Sequence, residues 1–170
     1  RYPPFVPAQF VAQVARYIGV DSQQVLVGNG SNELMYATFA CVLEPGKKLV
    51  LTQPTFTLYA LLGKLFGAQV VDVPLDSDLR FDVAGIEKAA CDAALVVIAS
   101  PNNPTGSVID PTDLEHLVAS NSALFVVDEA YFDFHGESAL ELTRTYRNVV
   151  VLRTFSKAFA TAGLRFGLMV

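Results

Sequence analysis

Short runs of residues that are apolar at every position recur along this chain: Leu49-Val50-Leu51, Leu95-Val96-Val97-Ile98, Leu124-Phe125-Val126-Val127 and Val149-Val150-Val151-Leu152. A strand that is apolar on both faces has to be covered on both, so one-sided sheets are poor hosts for these runs. Between them lie segments whose apolar residues fall at helical spacing. Strands and helices in alternation lead to a largely parallel sheet with helices on each side. The expectation is an α/β fold, a three-layer α/β/α sandwich with a mostly parallel sheet.

Punctuation along the chain supports the alternation. Phe10, Val11, Val14 and Ile18 suggest a helix from Phe5 to Ile18 that Gly19 ends. Gln24 to Val27 reads as a strand, Gly28-Asn29-Gly30 as a tight turn, and Ser31 as the N-cap of a helix running to about Leu43. Helices are also expected over Phe56 to Phe66, Val83 to Ala90, and Pro111 to Ser120 with Asp110 as cap; Gln69 to Val73 is a further strand. The chain opens on Arg1-Tyr2-Pro3-Pro4 without an initiator methionine and closes on Gly167-Leu168-Met169-Val170, which reads like the start of another strand. Residues 1–170 are therefore expected to be one domain of a longer protein.

At 170 residues and 52% hydrophobic, the chain can bury a substantial core. Twelve basic against seventeen acidic residues give a net charge of −5, which argues against nucleic acid as a partner, and no basic stripe with interleaved aromatics is present. Cys41 and Cys91 lie in apolar surroundings without metal-ligand spacing and are expected as buried, reduced thiols. No apolar run approaches the roughly 18 residues of a membrane span, and no signal-peptide pattern opens the chain. A soluble cytoplasmic protein is expected.

In open α/β sheets, ligands bind beyond the carboxyl ends of the strands, and polar clusters follow several of the expected strands here. Gly28-Asn29-Gly30-Ser31-Asn32 offers glycines and a helix N-terminus to an anion, although a capped turn would look the same. It lacks the Walker lysine and the dinucleotide glycine spacing. Pro101-Asn102-Asn103-Pro104-Thr105-Gly106 is a rigid turn with two amides that could meet a ring substituent. Asp128, at the mouth of a core strand, needs a partner; a protonated pyridine nitrogen, a salt bridge or a metal would each serve. Phe56 could stack on a flat ring or belong to the core.

Past Val149 to Leu152 come Thr154, Ser156 and Lys157, with Arg165 eight residues beyond the lysine. Desolvation at a strand edge would favour a nucleophilic amine, and Arg165 with two hydroxyls could grip a phosphate. An aldehyde and a phosphate on one small molecule describe pyridoxal phosphate. A solvated lysine after a core strand is the plain alternative.

The order of these clusters resembles the fold-type I pyridoxal-phosphate aminotransferases, and within them the histidinol-phosphate aminotransferase group. The residues that carry the resemblance are Tyr2-Pro3, Gly28 through Glu33, Pro54-Thr55-Phe56 with Tyr59, Pro101 through Gly106, Asp128 through Tyr131, Val151 through Lys157, and Ala162 through Arg165. It implies that Lys157 bonds the cofactor and shuttles the proton, and that Asp128 pairs with the pyridinium nitrogen. Asn103 and Tyr131 would bond the ring's phenolic oxygen, and Phe56 would stack on the ring. Ser31, Asn32, Thr154, Ser156 and Arg165 would hold the phosphate. Tyr2 resembles a tyrosine lent to the neighbouring subunit's phosphate, which implies a homodimer.

The implied reaction passes an amino group between glutamate and imidazole acetol phosphate, giving histidinol phosphate and 2-oxoglutarate. Phe56 stands where many relatives carry tyrosine, Asn32 where aspartate is frequent, and Thr161 where leucine is common. The arginine that grips the substrate would lie beyond Val170. Related possibilities are an aromatic amino-acid aminotransferase, a threonine-phosphate decarboxylase, a cofactor-sensing domain of a transcription regulator, and a nucleotide-binding α/β module. His116 and His135 are expected at the surface or in structural roles.

Overall fold

Thirteen regular elements alternate along the computed structural model, which describes Tyr2, Pro4 and residues 6–170. The helices are α1 (Ala8–Ile18), α2 (Ser31–Val42), α3 (Leu58–Leu65), α4 (Val83–Ala90), α5 (Pro111–Ser120) and α6 (Leu142–Thr145). The strands are β1 (Leu26–Asn29), β2 (Lys48–Gln53), β3 (Gln69–Pro74), β4 (Leu95–Ala99), β5 (Leu124–Asp128), β6 (Val149–Thr154) and β7 (Phe166–Met169). They form one sheet in the order β1-β7-β6-β5-β4-β2-β3.

From β3 to β6 every neighbouring pair is parallel. Strand β7 is antiparallel to both β6 and β1. This reversal matters for the site, because it brings the start of β7 to the same edge as the ends of β1, β2, β4, β5 and β6. The residue just before β7, Arg165, therefore joins the clusters that follow the other strands.

Period-two alternation sends the two halves of each apolar run to opposite faces. Leu49, Leu51, Leu95, Val97, Val126 and Leu152 pack on one face with Leu34, Met35 and Phe39 of α2 and Tyr59 and Leu62 of α3. Val50, Val96, Ile98, Phe125, Val127 and Val151 pack on the other with Ile86 of α4 and Leu114, Leu117 and Val118 of α5. A third cluster joins Val14 and Ala15 of α1 to Val25 and Leu168. The expected three layers are present. Phe125 is fully buried, and cutting it to alanine would cost about 3–5 kcal/mol.

Local differences from the sequence expectation have simple causes. Helix α1 starts at Ala8, and Phe5 lies outside the described residues. The first strand begins two residues later than expected, because Asp21 and Gln24 cap a 3-10 turn over Ser22–Gln24. Ser31 is not an N-cap: Gly30 holds that position with φ +81°, and Ser31 is the first helical residue. The Glu33 side chain accepts instead from the Asn29 N–H at 2.6 Å. Asp110 caps α5 as expected, accepting from the Thr112 N–H at 2.8 Å.

The cysteines depart from expectation. Both are exposed, since Cys41 lies off the stripe of α2 (Ser31, Leu34, Met35, Thr38, Phe39) that faces the sheet, and Cys91 is the C-cap of α4. Among the described residues, no helix is long and apolar enough to cross a membrane.

Candidate active site

At the carboxyl edge, a cleft with about 630 Å³ of open volume is walled by residues from five strand ends. It holds Ser31, Asn32, Phe56, Asn103, Asp128, Tyr131, Thr154, Ser156, Lys157 and Arg165. Ten residues singled out from sequence thus share one cavity. Tyr2 stands apart, 97% exposed. His116 and His135 lie outside the cleft, against Glu87 at 3.1 Å and Glu137 at 3.6 Å.

Asp128 forms the floor. It is the last residue of β5, on the face shared with Val126, and only 8% of it reaches solvent. Its Oδ2 accepts from the Tyr59 hydroxyl at 2.7 Å and its Oδ1 from the Ala130 N–H at 3.0 Å. Burial pushes its carboxyl above the ordinary carboxylate range, opposed by the Tyr59 and Ala130 hydrogen bonds and by the charge of Lys157. No ion pair includes it among the described residues. A buried carboxylate without a cation of its own is costly, so the cleft favours a cationic guest there.

The opposite wall suits an anion. Ser31 and Asn32 open α2, where first-turn N–H groups have no carbonyl partner within the helix. Thr154 ends β6, and its Oγ1 accepts from the Ser156 N–H at 3.2 Å. Arg165 adopts a left-handed backbone, φ +55° and ψ +51°, a strain of about 1 kcal/mol for a residue with a side chain. A Cβ on Gly30 would fall against the Arg165 guanidinium, which would have to shift, and the φ of +81° favours glycine there in any case. Gly167 gives the same clearance from below, since a Cβ there would strike the backbone of Ser31.

Lys157 is exposed, and its Nζ lies 5.5 Å from the centre of the Tyr131 ring. Of the two readings that its place after a core strand leaves open, a desolvated or a solvated amine, the structure shows the solvated one. Phe56 meets Tyr59 edge-on with centroids 5.6 Å apart, leaving its ring at the cleft wall. The two adjacent asparagines divide their work. Asn103 lines the cleft, while the buried Asn102 accepts from Thr55 Oγ1 at 2.7 Å and donates to the Pro54 carbonyl and Thr105 Oγ1, each at 2.8 Å.

Tyr59 was quoted in the sequence only as part of a motif. Phe56 lies just before α3 and Tyr59 in its first turn, and the pairing of the two aromatics three residues apart was the available signal.

The family described as aminotransferase class I and II matches residues 1–170. The chain belongs to this family. A histidinol-phosphate aminotransferase of Chlorobium phaeovibrioides is 44% identical over 173 residues, covering 100% of this chain and 48% of the relative. That of Chlorobaculum tepidum is 42% identical over 173 residues, covering 100% and 50%. Among solved structures, the histidinol-phosphate aminotransferase from Sinorhizobium meliloti in complex with pyridoxal-5'-phosphate superposes with a TM-score of 0.88 at 28% identity, over 96% of this chain and 46% of that one. The chain spans about half the length of the curated relatives it matches.

In this class I and II aminotransferase chain, the donor set suits a flat cationic ring that carries an anion and a reactive carbonyl. Asp128 would face the cation, the α2 N-terminus with Thr154, Ser156 and Arg165 would face the anion, and Lys157, lining the same cleft, offers an amine.

Proposed function

We propose that this chain is the large cofactor-binding domain of a pyridoxal 5'-phosphate-dependent enzyme that transfers an amino group between L-histidinol phosphate and 2-oxoglutarate. Glutamate and imidazole acetol phosphate are the partners in the other direction. One observation carries the reading: a buried carboxylate with no paired cation among the described residues shares a cleft with an amine and an anion cradle. The identity of 44% to a histidinol-phosphate aminotransferase supports the choice of substrate.

When bound, pyridoxal 5'-phosphate supplies an aldehyde that condenses with amines and a cationic ring that takes up an electron pair. Asp128 accepts from the ring N–H and keeps that proton in place. Lys157 supplies the amine for the aldehyde, and its Nζ then lifts and returns the proton at the substrate's α-carbon. The Asn103 amide and the Tyr131 hydroxyl orient the ring through its phenolic oxygen, and Phe56 covers one face and excludes water. Backbone N–H groups of Ser31 and Asn32, with Thr154, Ser156 and Arg165, bind the phosphate. Tyr2, exposed here, serves the phosphate site of a neighbouring subunit in a homodimer. The proposed setting is the cytoplasm, with small amino acids and keto acids as the other partners.

The test is an assay of the full-length protein with histidinol phosphate, phenylalanine and threonine phosphate as alternative substrates. Turnover of histidinol phosphate with 2-oxoglutarate is expected. Transamination of phenylalanine alone, or decarboxylation of threonine phosphate, would reassign the substrate. Borohydride reduction with peptide mapping is expected to leave a pyridoxyl group on Lys157; binding of a nucleotide with no such label would remove the cofactor as well.

A further inference from the structure

We propose that Tyr59 is a positioning residue for Asp128: its hydroxyl keeps the carboxylate turned to face the cleft, ready for the ring nitrogen. This rests on the cofactor reading given above and extends it to a residue that need not touch the ring nitrogen itself.

The geometry is specific. Tyr59 lies on the inner side of α3, 2% exposed, and its hydroxyl reaches the carboxyl end of β5. Each oxygen of Asp128 has one donor from the protein, Tyr59 at Oδ2 and the Ala130 N–H at Oδ1. A carboxylate oxygen accepts more than one hydrogen bond, so both keep room for a third donor from the cleft. With two donors on two oxygens, the carboxylate plane cannot rotate without losing one of them.

The groups acting on Asp128 come from three places: Tyr59 from α3, Ala130 from the segment after β5, and Lys157 from the segment after β6, with Tyr131 near Tyr59. Burial favours the neutral acid, and the Tyr59 hydrogen bond is the largest influence opposing it. Burial, and then the nearby charge of Asp128, also raise the Tyr59 hydroxyl well above the usual tyrosine range. Tyr59 therefore keeps its proton and remains a donor. Simple space-filling accounts for the ring but not for a hydroxyl aimed at the cleft's only buried carboxylate among the described lining residues.

Tyr59→Phe separates the two roles, since it keeps the ring and removes one oxygen. On the full-length protein, binding is measured for pyridoxal 5'-phosphate and for its 1-deaza analogue, which lacks the ring nitrogen. Tyr59→Phe is expected to weaken the cofactor by about ten-fold, the scale of one hydrogen bond to a charged group. Affinity for the analogue is expected to change by less than about two-fold. As a second measurement, Tyr59→Phe in an Asp128→Asn background is expected to cost less than about two-fold with the natural cofactor.

Equal losses for cofactor and analogue, or no loss for either, would overturn the positioning role while leaving the cofactor reading intact. A wild-type protein that binds neither compound and takes no pyridoxyl label would overturn both.

Discussion

Asp128 and Glu129 are adjacent, both carboxylates, both buried, and both pushed above the ordinary carboxylate range, first of all by burial. They part at the end of β5, where alternation sends them to opposite faces of the sheet. Glu129 meets Arg153 Nε at 2.9 Å, the Ala139 N–H at 2.6 Å and Ser138 Oγ at 3.0 Å. The Arg153 guanidinium also lies 3.7 Å over the Phe132 ring. Glu129 is thus saturated by the chain itself and ties the end of β5 to β6 and to the segment around Ser138. Asp128 has two neutral donors and, among the described residues, no paired cation. The difference teaches that, at a strand end, the partners around an acid separate structure from chemistry, and burial alone does not.

Four experiments can break or sharpen that contrast. The largest effect is expected for the group that works opposite Asp128. Lys157→Ala should lower transamination by about 10⁴-fold and abolish borohydride labelling, while the unfolding midpoint of the cofactor-free protein stays put because the side chain is exposed. Asp128→Asn comes next, with turnover falling by about 10²–10³-fold and the cofactor bound more weakly. Asn keeps the shape, so a loss of stability with intact activity would invert the assignment.

Glu129→Gln should do the reverse. It strands the Arg153 charge and should cost about 3 kcal/mol of stability by denaturant unfolding. Pairing it with Arg153→Met should recover much of that loss, since removing both charges of a buried pair is close to neutral.

The smallest effect concerns pH. A carboxyl raised on folding contributes stability below its unfolded pKa, about 3.9 for aspartate, and that contribution fades as pH rises through the folded value. The cofactor-free protein should lose stability over that window, and Asp128→Asn should flatten the slope. An unchanged slope in a pH series of unfolding midpoints would show that Asp128 does not feel its burial.

Much of this was legible in the sequence because two-sided apolar runs announce parallel strands, and the polar residue after each run marks the edge where ligands bind. Ten cleft residues followed from that reasoning together with the family resemblance. What stayed hidden depended on contacts between distant segments. Nothing local in Phe166–Met169 shows that β7 runs opposite to β6, nor that Arg165 gains its place through that reversal. Tyr59 enters the sequence only as part of the motif around Phe56, and its contact with Asp128 shows once α3 is seen against β5. Nothing in the sequence pairs Arg153 with Glu129, which the structure brings to 2.9 Å. The exposed amine of Lys157 follows the plainer of its two sequence readings, because a strand's burial does not extend past its last residue.

The seating of β1 against β7 also has a temporal consequence. Strand β1 pairs with no other strand among the described residues, so residues 26–29 leave the ribosome about 140 residues before their hydrogen-bonding mate. During synthesis, Gly30 and Ser31 can be laid over Gly167 only after nearly all of this chain has emerged. Truncated nascent products should therefore fail to capture phosphate compounds, however well their central strands have already assembled.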